Sequence, residues 1–149
     1  MSVATIRTAI KTTLEGAGCR NVYAEEPATF DEQDRIYNGR VHYWVVRYQP
    51  AAPDEFMGGR ELRHAFRIDG WMGVSRDDPM DGVGSDTTFA NLVSLVLSTL
   101  AAKGNRTPGS SLSSDVPQPG EITRTSVSLG SETVPAHTVR ISWTITEDA

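Results

Sequence analysis

The sequence predicts an α+β domain, with a mainly antiparallel sheet of about five strands and two helices packed on one face of it. Three observations support this prediction. Two segments carry apolar residues at helical spacing, several others alternate apolar and polar residues, and the longer strand segments follow one another in pairs, as hairpins do. The predicted order is α-β-β-β-α-β-β, within a single domain over residues 1–149.

Both predicted helices are amphipathic. The first begins behind Ser2, a candidate N-cap, and ends near Gly16. The second spans Ser85 to about Lys103, with Ser85 as its cap and Gly104 behind its last turn. The apolar stripes are Val3, Ile6, Ile10 and Leu14 in the first helix, and Phe89, Leu92, Val93, Val96, Leu97 and Leu100 in the second.

The strands are predicted as one short strand and two hairpins. An extended loop at 50–61, with two prolines and a Gly-Gly pair, forms the tip of the first hairpin. A flexible Gly/Ser/Pro-rich arm at 104–120 precedes the second. The strand ranges are 20–27 for the short strand, 41–49 and 62–74 for the first hairpin, and 122–129 and 137–145 for the second. Residues 28–40 have the polar composition of a loop.

Composition argues against several classes of function. The net charge of -5 gives the chain no general attraction for nucleic acid or for anionic membranes. Cys19 is the one cysteine, so neither an internal disulfide nor a site built on several thiolates can form. The N-terminus lacks the pattern of a signal peptide, and the longest apolar-rich stretch, 89–102, is too short and too polar to span a bilayer. We expect a soluble intracellular protein.

No combination of residues predicts a catalytic or metal site. The three histidines, His42, His64 and His137, lie within strand patterns and not beside an acid or cysteine at motif spacing. Residues 77–88 resemble a calcium loop, but Thr88 stands where a bidentate Glu is required. No helix begins beside Cys19 to lower its pKa. We therefore expect no enzymatic activity, no cofactor and no metal.

The predicted strand at 41–48 has no polar face. Alternate side chains of a strand point to opposite sides, and both sets are rich in aromatic and β-branched residues here. If both helices cover one sheet face, the other face mixes arginine with aromatic residues, as protein interfaces do. Either of the two sets of alternate side chains in the 41–48 strand fits that face. The subunit-interface candidates are Trp44, Tyr48, Arg63, Arg67 and Trp71.

Two coverings of this face are possible. A second copy of the chain is one, and the loops at 50–61 and 104–120, folded over the sheet within one subunit, are the other. If a second copy covers it, Trp71→Glu should leave the fold intact and abolish assembly.

One run of sequence resembles a known family. "RHAFRIDGWMGV", an acidic turn, "SDTTFANLVSLVLSTL", a Gly/Pro-rich crossover and a closing hairpin follow one another. This succession resembles the small tail-terminator and head–tail joining (tail completion) proteins of tailed bacteriophages. The resemblance extends from the first helix to about Ile145 and rests on element order and on a strand–G-[WY]-M–turn–S-x-x-x-F-x-x-L-V pattern from Phe66 to Val93.

The resemblance implies a virion structural protein of the tail or neck, made in the host cytoplasm. Such subunits assemble as a homo-oligomeric ring, commonly a hexamer, at the head-proximal end of the tail. The ring ends polymerisation of the tail tube protein and joins the tail to a head completion or connector protein. DNA passes through its channel without specific binding, which suits an acidic chain. The family has no catalytic residue to carry over. Loop 50–61 and arm 104–120 would reach neighbouring subunits.

Three other functions remain compatible with the sequence. The chain could be another phage neck or tail tube component. It could be a small-ligand-binding or enzymatic domain with a pocket between the sheet and helix 85–103, which predicts a monomer or dimer with a cavity. It could also be an unrelated module that binds a peptide along a sheet edge, which predicts a monomer that gains order with its partner.

Overall fold

The computed structural model describes residues 3–49, 61–74, 84–108 and 113–148. Over these residues the chain is α+β, as the sequence predicts, with two α-helices and a mixed sheet. The helices are α1 (Val3–Gly16) and α2 (Ser85–Ala101), with short 3₁₀ helices at Glu32–Arg35 and Lys103–Asn105. The strands are β1 (Val22–Tyr23), β2 (Ile36–Tyr37), β3 (Arg40–Gln49), β4 (Glu61–Gly73), β5 (Ser113–Ser114), β6 (Gln118–Pro119), β7 (Thr123–Leu129) and β8 (Glu132–Asp148).

The sheet is built around three long strands in the order β3-β4-β8. β1 and β2 both pair with β3, and β5, β6 and β7 lie one after another along β8. All the pairs are antiparallel except β1 with β3. The predicted pairings of the two hairpins, β3 with β4 and β7 with β8, are confirmed.

Both helices pack on the same face of the sheet, as predicted. Side chains at alternate positions of β3, β4 and β8 meet the apolar stripes of α1 and α2 in one core. Each large apolar side chain buried in this way contributes roughly 1.5–3 kcal/mol before conformational entropy is subtracted. The helices supply Ile6, Ile10, Leu14, Phe89, Val93, Val96 and Leu100, and the long strands supply Trp44, Val46, Phe66, Ile68, Met72, Val139, Ile141, Trp143 and Ile145.

The start of α2 differs from the prediction. Gly84 is the N-cap, and Ser85 is the first helical residue, so the serine does not cap the helix. Its hydroxyl contacts His137 of β8 instead. The helix also ends at Ala101 and not near Lys103, because Ala102 has an extended backbone (φ -61°, ψ 140°).

Residues 28–40 contain more order than their loop-like composition predicts. They form the 3₁₀ helix Glu32–Arg35 and then a tight hairpin between β2 and β3. Asn38 and Gly39 form its turn, with positive φ angles of 52° and 73°. Asn-Gly is a preferred sequence for a two-residue hairpin turn, so this dipeptide indicates the β2–β3 hairpin already in the sequence.

The Gly/Ser/Pro-rich segment at 104–120 is not a free arm where it is described. Residues 113–114 and 118–119 pair with β8, and the indole Nε1–H of Trp143 donates to the carbonyl of Asp115 at 2.7 Å. Residues 109–112 lie outside the described part of the chain, as do the predicted cap Ser2, most of loop 50–61 and most of the calcium-like stretch 77–88.

Candidate assembly surface

The sheet face opposite the helices is divided into an apolar half and a polar half. In the apolar half, Val41, Tyr43 and Val45 of β3 are buried. They belong to a second, smaller core that the chain builds for itself. Its other members are Val127, Leu129 and Ala136 at the distal end of the β7–β8 hairpin, and the partly buried Tyr23, Phe30, Ile36, Trp71 and Val134.

The segment after β1 covers this apolar half because polar contacts hold it there. Asn21 donates from Nδ2 to the backbone carbonyls of Ile36 and His42, at 3.1 and 3.0 Å. The hydroxyl of Tyr23 donates to the carbonyl of Asp34 at 2.6 Å. The Phe30 ring then lies 5.5 Å from the Tyr43 ring, centroid to centroid. Residues 23–37 and the β7–β8 hairpin therefore cover this half within one subunit. Of the two loops that the sequence suggests for this role, residues 50–60 and 109–112 lie outside the described part of the chain.

The polar half is organised around a buried aspartate. The carboxylate of Asp69 is only 5% exposed, and arginines from three adjacent strands surround it. Arg47 of β3 approaches with Nε 2.8 Å from Oδ2, Arg67 of β4 with Nε 3.5 Å from Oδ2, and Arg140 of β8 with Nε 3.1 Å from Oδ1. Arg140 makes a hydrogen bond, whereas the Nε–H groups of Arg47 and Arg67 do not point at the carboxylate. These two are ion pairs only.

A groove opens beside this cluster, at the edge of β3. Its volume is about 360 Å³, and it is lined by Arg7, Glu25, Glu26, Arg47, Tyr48 and Arg67. Arg47 pairs with Glu26 (Nη1 to Oε2, 2.6 Å) in addition to Asp69. The Nε atoms of Arg7 and Arg67 are buried and make no hydrogen bond in the part of the chain that is described. A guanidinium is a donor only, so the groove favours carboxylate or phosphate oxygens.

The five interface candidates occupy different environments. Trp44 is fully buried beneath the helices, so it presents no surface to a partner. Tyr48 is half-buried on the same face, and its hydroxyl oxygen lies 2.9 Å from Nδ1 of His64. Arg63 is exposed, and Arg67 lines the groove. Trp71 is half-buried against Tyr43. The surface thus retains Arg63 and Arg67 together with Arg47 and Arg140, two residues that are not among the five candidates.

The missed residues could be found only with the strand register. Arg67 and Asp69 lie two positions apart on β4 and therefore on one face, which the alternation alone predicts. That Arg47 lies opposite Arg67, and Arg140 opposite Asp69, follows from the pairing of β3 and β8 with β4. No local motif encodes that register.

The opposite edge of the sheet has a different character. Ser114 pairs with Ile145, and Gln118 pairs with Ser142. Between these two pairs the edge segment contains one residue more than β8 does, as in a β-bulge. A second bulge follows between Pro119 and Thr123. Val116 is 54% exposed and Ile122 is 38% exposed at these two interruptions.

A serine, a histidine and an aspartate come together at the start of α2. The hydroxyl of Ser85 is 2.9 Å from Nε2 of His137, and Nδ1 of His137 is 3.2 Å from Oδ1 of Asp86. Burial lowers the pKa of His137, and the Asp86 carboxylate partly opposes that shift. The order of atoms is that of a hydrolytic triad. However, Ser85 is 2% exposed and His137 1% exposed, so a substrate cannot reach the hydroxyl in this arrangement. The contacts join α2 to β8.

Other candidate chemistry is limited. In residues 3–49, 61–74, 84–108 and 113–148, no group of three or more His, Cys, Asp or Glu side chains is placed to hold a metal ion. Burial raises the pKa of the Cys19 thiol, which disfavours the reactive thiolate. No helix in these same ranges is long and apolar enough to span a membrane.

No protein-family model matches the chain, and no curated protein sequence matches it with significance. The arguments for function therefore rest on the residues themselves.

Proposed function

We propose that this protein is a subunit of a homo-oligomeric ring in the neck or tail of a bacteriophage. In this role it ends assembly of the tail tube at its head-proximal end and joins the tail to the head connector. The ring, expected to be a hexamer, leaves a channel for DNA. A net charge of -5 favours passage of DNA through that channel without specific binding.

The observation that supports the proposal best is the arginine-rich polar half of the sheet. Among the described residues, the chain covers the apolar half of that face and leaves the arginine-rich half at the surface. Arginine is enriched at protein interfaces, and a cluster of three around one buried carboxylate presents directional donors. The element order that carries the resemblance to tail-terminator and tail completion proteins, helix–sheet–helix–hairpin, is the order of the folded chain.

The ligand-binding alternative receives less support. It requires a pocket between the sheet and α2, but the side chains there are packed in one core. Trp44 of β3 and the α2 residues Phe89 and Leu100, which all lie in this layer, are each 0% exposed. The groove described above lies at the edge of β3, outside this layer.

Native mass spectrometry over a wide range of protein concentrations tests the proposal. A discrete hexamer or other closed oligomer, with annular particles in negative-stain electron microscopy, is the expected result. A chain that stays monomeric up to millimolar concentration, alone and after addition of a phage tail tube, would contradict it. In that case the peptide-binding alternative becomes the better explanation of the groove at the edge of β3.

A further inference from the structure

The two edges of the sheet differ in charge and shape. At one edge, the arginine groove is lined by Arg7, Arg47 and Arg67 and by two glutamates. With Arg140 and the Asp69 carboxylate that the cluster shares, four guanidinium groups stand against three carboxylates. At the other, the segment 115–122, of sequence DVPQPGEI, contains two acids and no basic residue. We call this segment the acidic edge. The carboxylates of Asp115 and Glu121 make no ion pair with any residue in the described ranges.

Strand pairing is short along both edges. β1 pairs with β3 only at Trp44 and Val45, and β2 only at Arg40 and Val41. Neither of these strands continues along β3 beyond Val45. The acidic edge presents its outer side to solvent, with the exposed Val116 and Ile122 beside its two acids. Exposed strand edges carry a row of donors and acceptors that a further strand can pair with.

We propose that the acidic edge of one copy docks into the arginine groove of the next copy. The carboxylates of Asp115 and Glu121 meet the partly exposed guanidinium groups of Arg7, Arg47 and Arg67 that line the groove. Val116 and Ile122 are buried by the same contact. This inference rests on the proposed ring and names the surfaces that join its subunits.

The geometry of this contact suits a closed ring. It joins two different surfaces of the same chain, head to tail, and not one surface to itself. A repeated contact of this kind produces a ring when the rotation closes, whereas a self-complementary contact stops at a dimer. The second copy is favoured over an unrelated partner because one chain supplies both the groove and an exposed segment of opposite charge.

Charge reversal tests the contact. Arg7→Glu, and separately the pair Asp115→Lys with Glu121→Lys, should each raise the concentration needed for half-assembly by at least about tenfold, because like charges then meet. The triple variant should recover most of the assembly, since its charges are again complementary. Controls with equal charge changes elsewhere are Lys103→Glu and the pair Glu15→Lys with Glu132→Lys. Circular dichroism checks that each variant is folded.

Crosslinking reports on the same contact without requiring stable assembly. A chain carrying Arg7→Cys and Glu121→Cys, treated with a short bis-maleimide, should give a ladder that ends at the size of the ring. A mixture of the two single variants should give only dimers. Cys19 is buried and its thiol has a raised pKa, so it should not react.

The outcomes separate the two proposals. If the wild type assembles but the reversed variants assemble equally well and no ladder forms, the docking contact is wrong and the ring stands. If the reversed variants fail and the triple variant is not rescued, the pairing of these two edges is wrong. If the wild type does not assemble at any concentration and the chain carrying Arg7→Cys and Glu121→Cys gives no ladder, both the ring and the contact are overturned.

Discussion

The indole ring of Trp71 lies flat against the phenol ring of Tyr43, with centroids 4.4 Å apart and planes inclined by 7°. The two residues are directly opposite each other in the β3–β4 pair, on the face away from the helices. Trp71 is therefore part of the smaller core that the subunit completes by itself. Substitution at this position should affect folding before it affects assembly.

Trp71→Glu is expected to lower the free energy of unfolding by about 2–4 kcal/mol, because it removes a stacked aromatic pair and places a carboxylate in an apolar cluster. This expectation replaces the one drawn from sequence, in which the variant keeps its stability. Urea unfolding followed by fluorescence measures the change. Trp71→Phe, which retains an aromatic face, should lose less than half as much. An unchanged midpoint for Trp71→Glu would show that the stack contributes nothing.

The alternation of apolar residues was sufficient to predict which residues of β4 and β8 face the helices. It was insufficient for 41–48, because both faces of that strand are apolar and the pattern cannot say which one the helices cover. The covering of the second face depends on Asn21 and Tyr23, whose long-range hydrogen bonds leave no periodic signal. The arginine cluster around Asp69 was hidden for a similar reason, since it exists only once three strands are in register.

Gly70 of β4 is required because the indole of Trp44, its partner on β3, lies directly against it. A Cβ at position 70 would overlap the Trp44 indole, with Cε3 at 2.5 Å and Cη2 at 2.6 Å. Since Trp44 is fully buried and cannot move outward, Gly70→Ala should cost roughly 2–3 kcal/mol of stability. Gly104→Ala is the matched control, because its Cβ would meet no atom within 4 Å. Equal thermal midpoints for the two variants would contradict this account of the glycine.

Asp69 is expected to matter more for stability than its surface partners. Asp69→Asn removes the charge that faces Arg47, Arg67 and Arg140, and we expect a loss of about 1–2 kcal/mol in urea unfolding. The loss is moderate because the arginines retain access to water. Glu26→Gln is the control: it removes the exposed partner of the same Arg47 and should cost less than about 0.5 kcal/mol. If both variants lost the same stability, the burial of Asp69 would not be important.

His42 should make the protein less stable in acid. Its ring is buried, and burial, with Arg20 and Arg40 nearby, lowers its pKa from 6.5 to about 4. Below pH 6.5 the unfolded chain binds a proton that the folded chain does not bind until about pH 4. The contribution of His42 to the free energy of unfolding therefore has its full value above pH 6.5. It decreases as the pH is lowered towards 4, by about 3 kcal/mol in total.

The substitution His42→Gln isolates this contribution, because glutamine does not titrate. The variant should be less stable than the wild type at pH 7, since it disturbs a buried site, but its stability should fall less between pH 7 and pH 4. Between pH 7 and pH 4 the wild type is expected to lose about 3 kcal/mol more of its free energy of unfolding than the variant loses. His137, whose pKa is also lowered by burial, is present in both proteins and cancels in this comparison. Urea unfolding at half-unit steps of pH measures both curves, and parallel curves would show that His42 titrates normally in the folded chain.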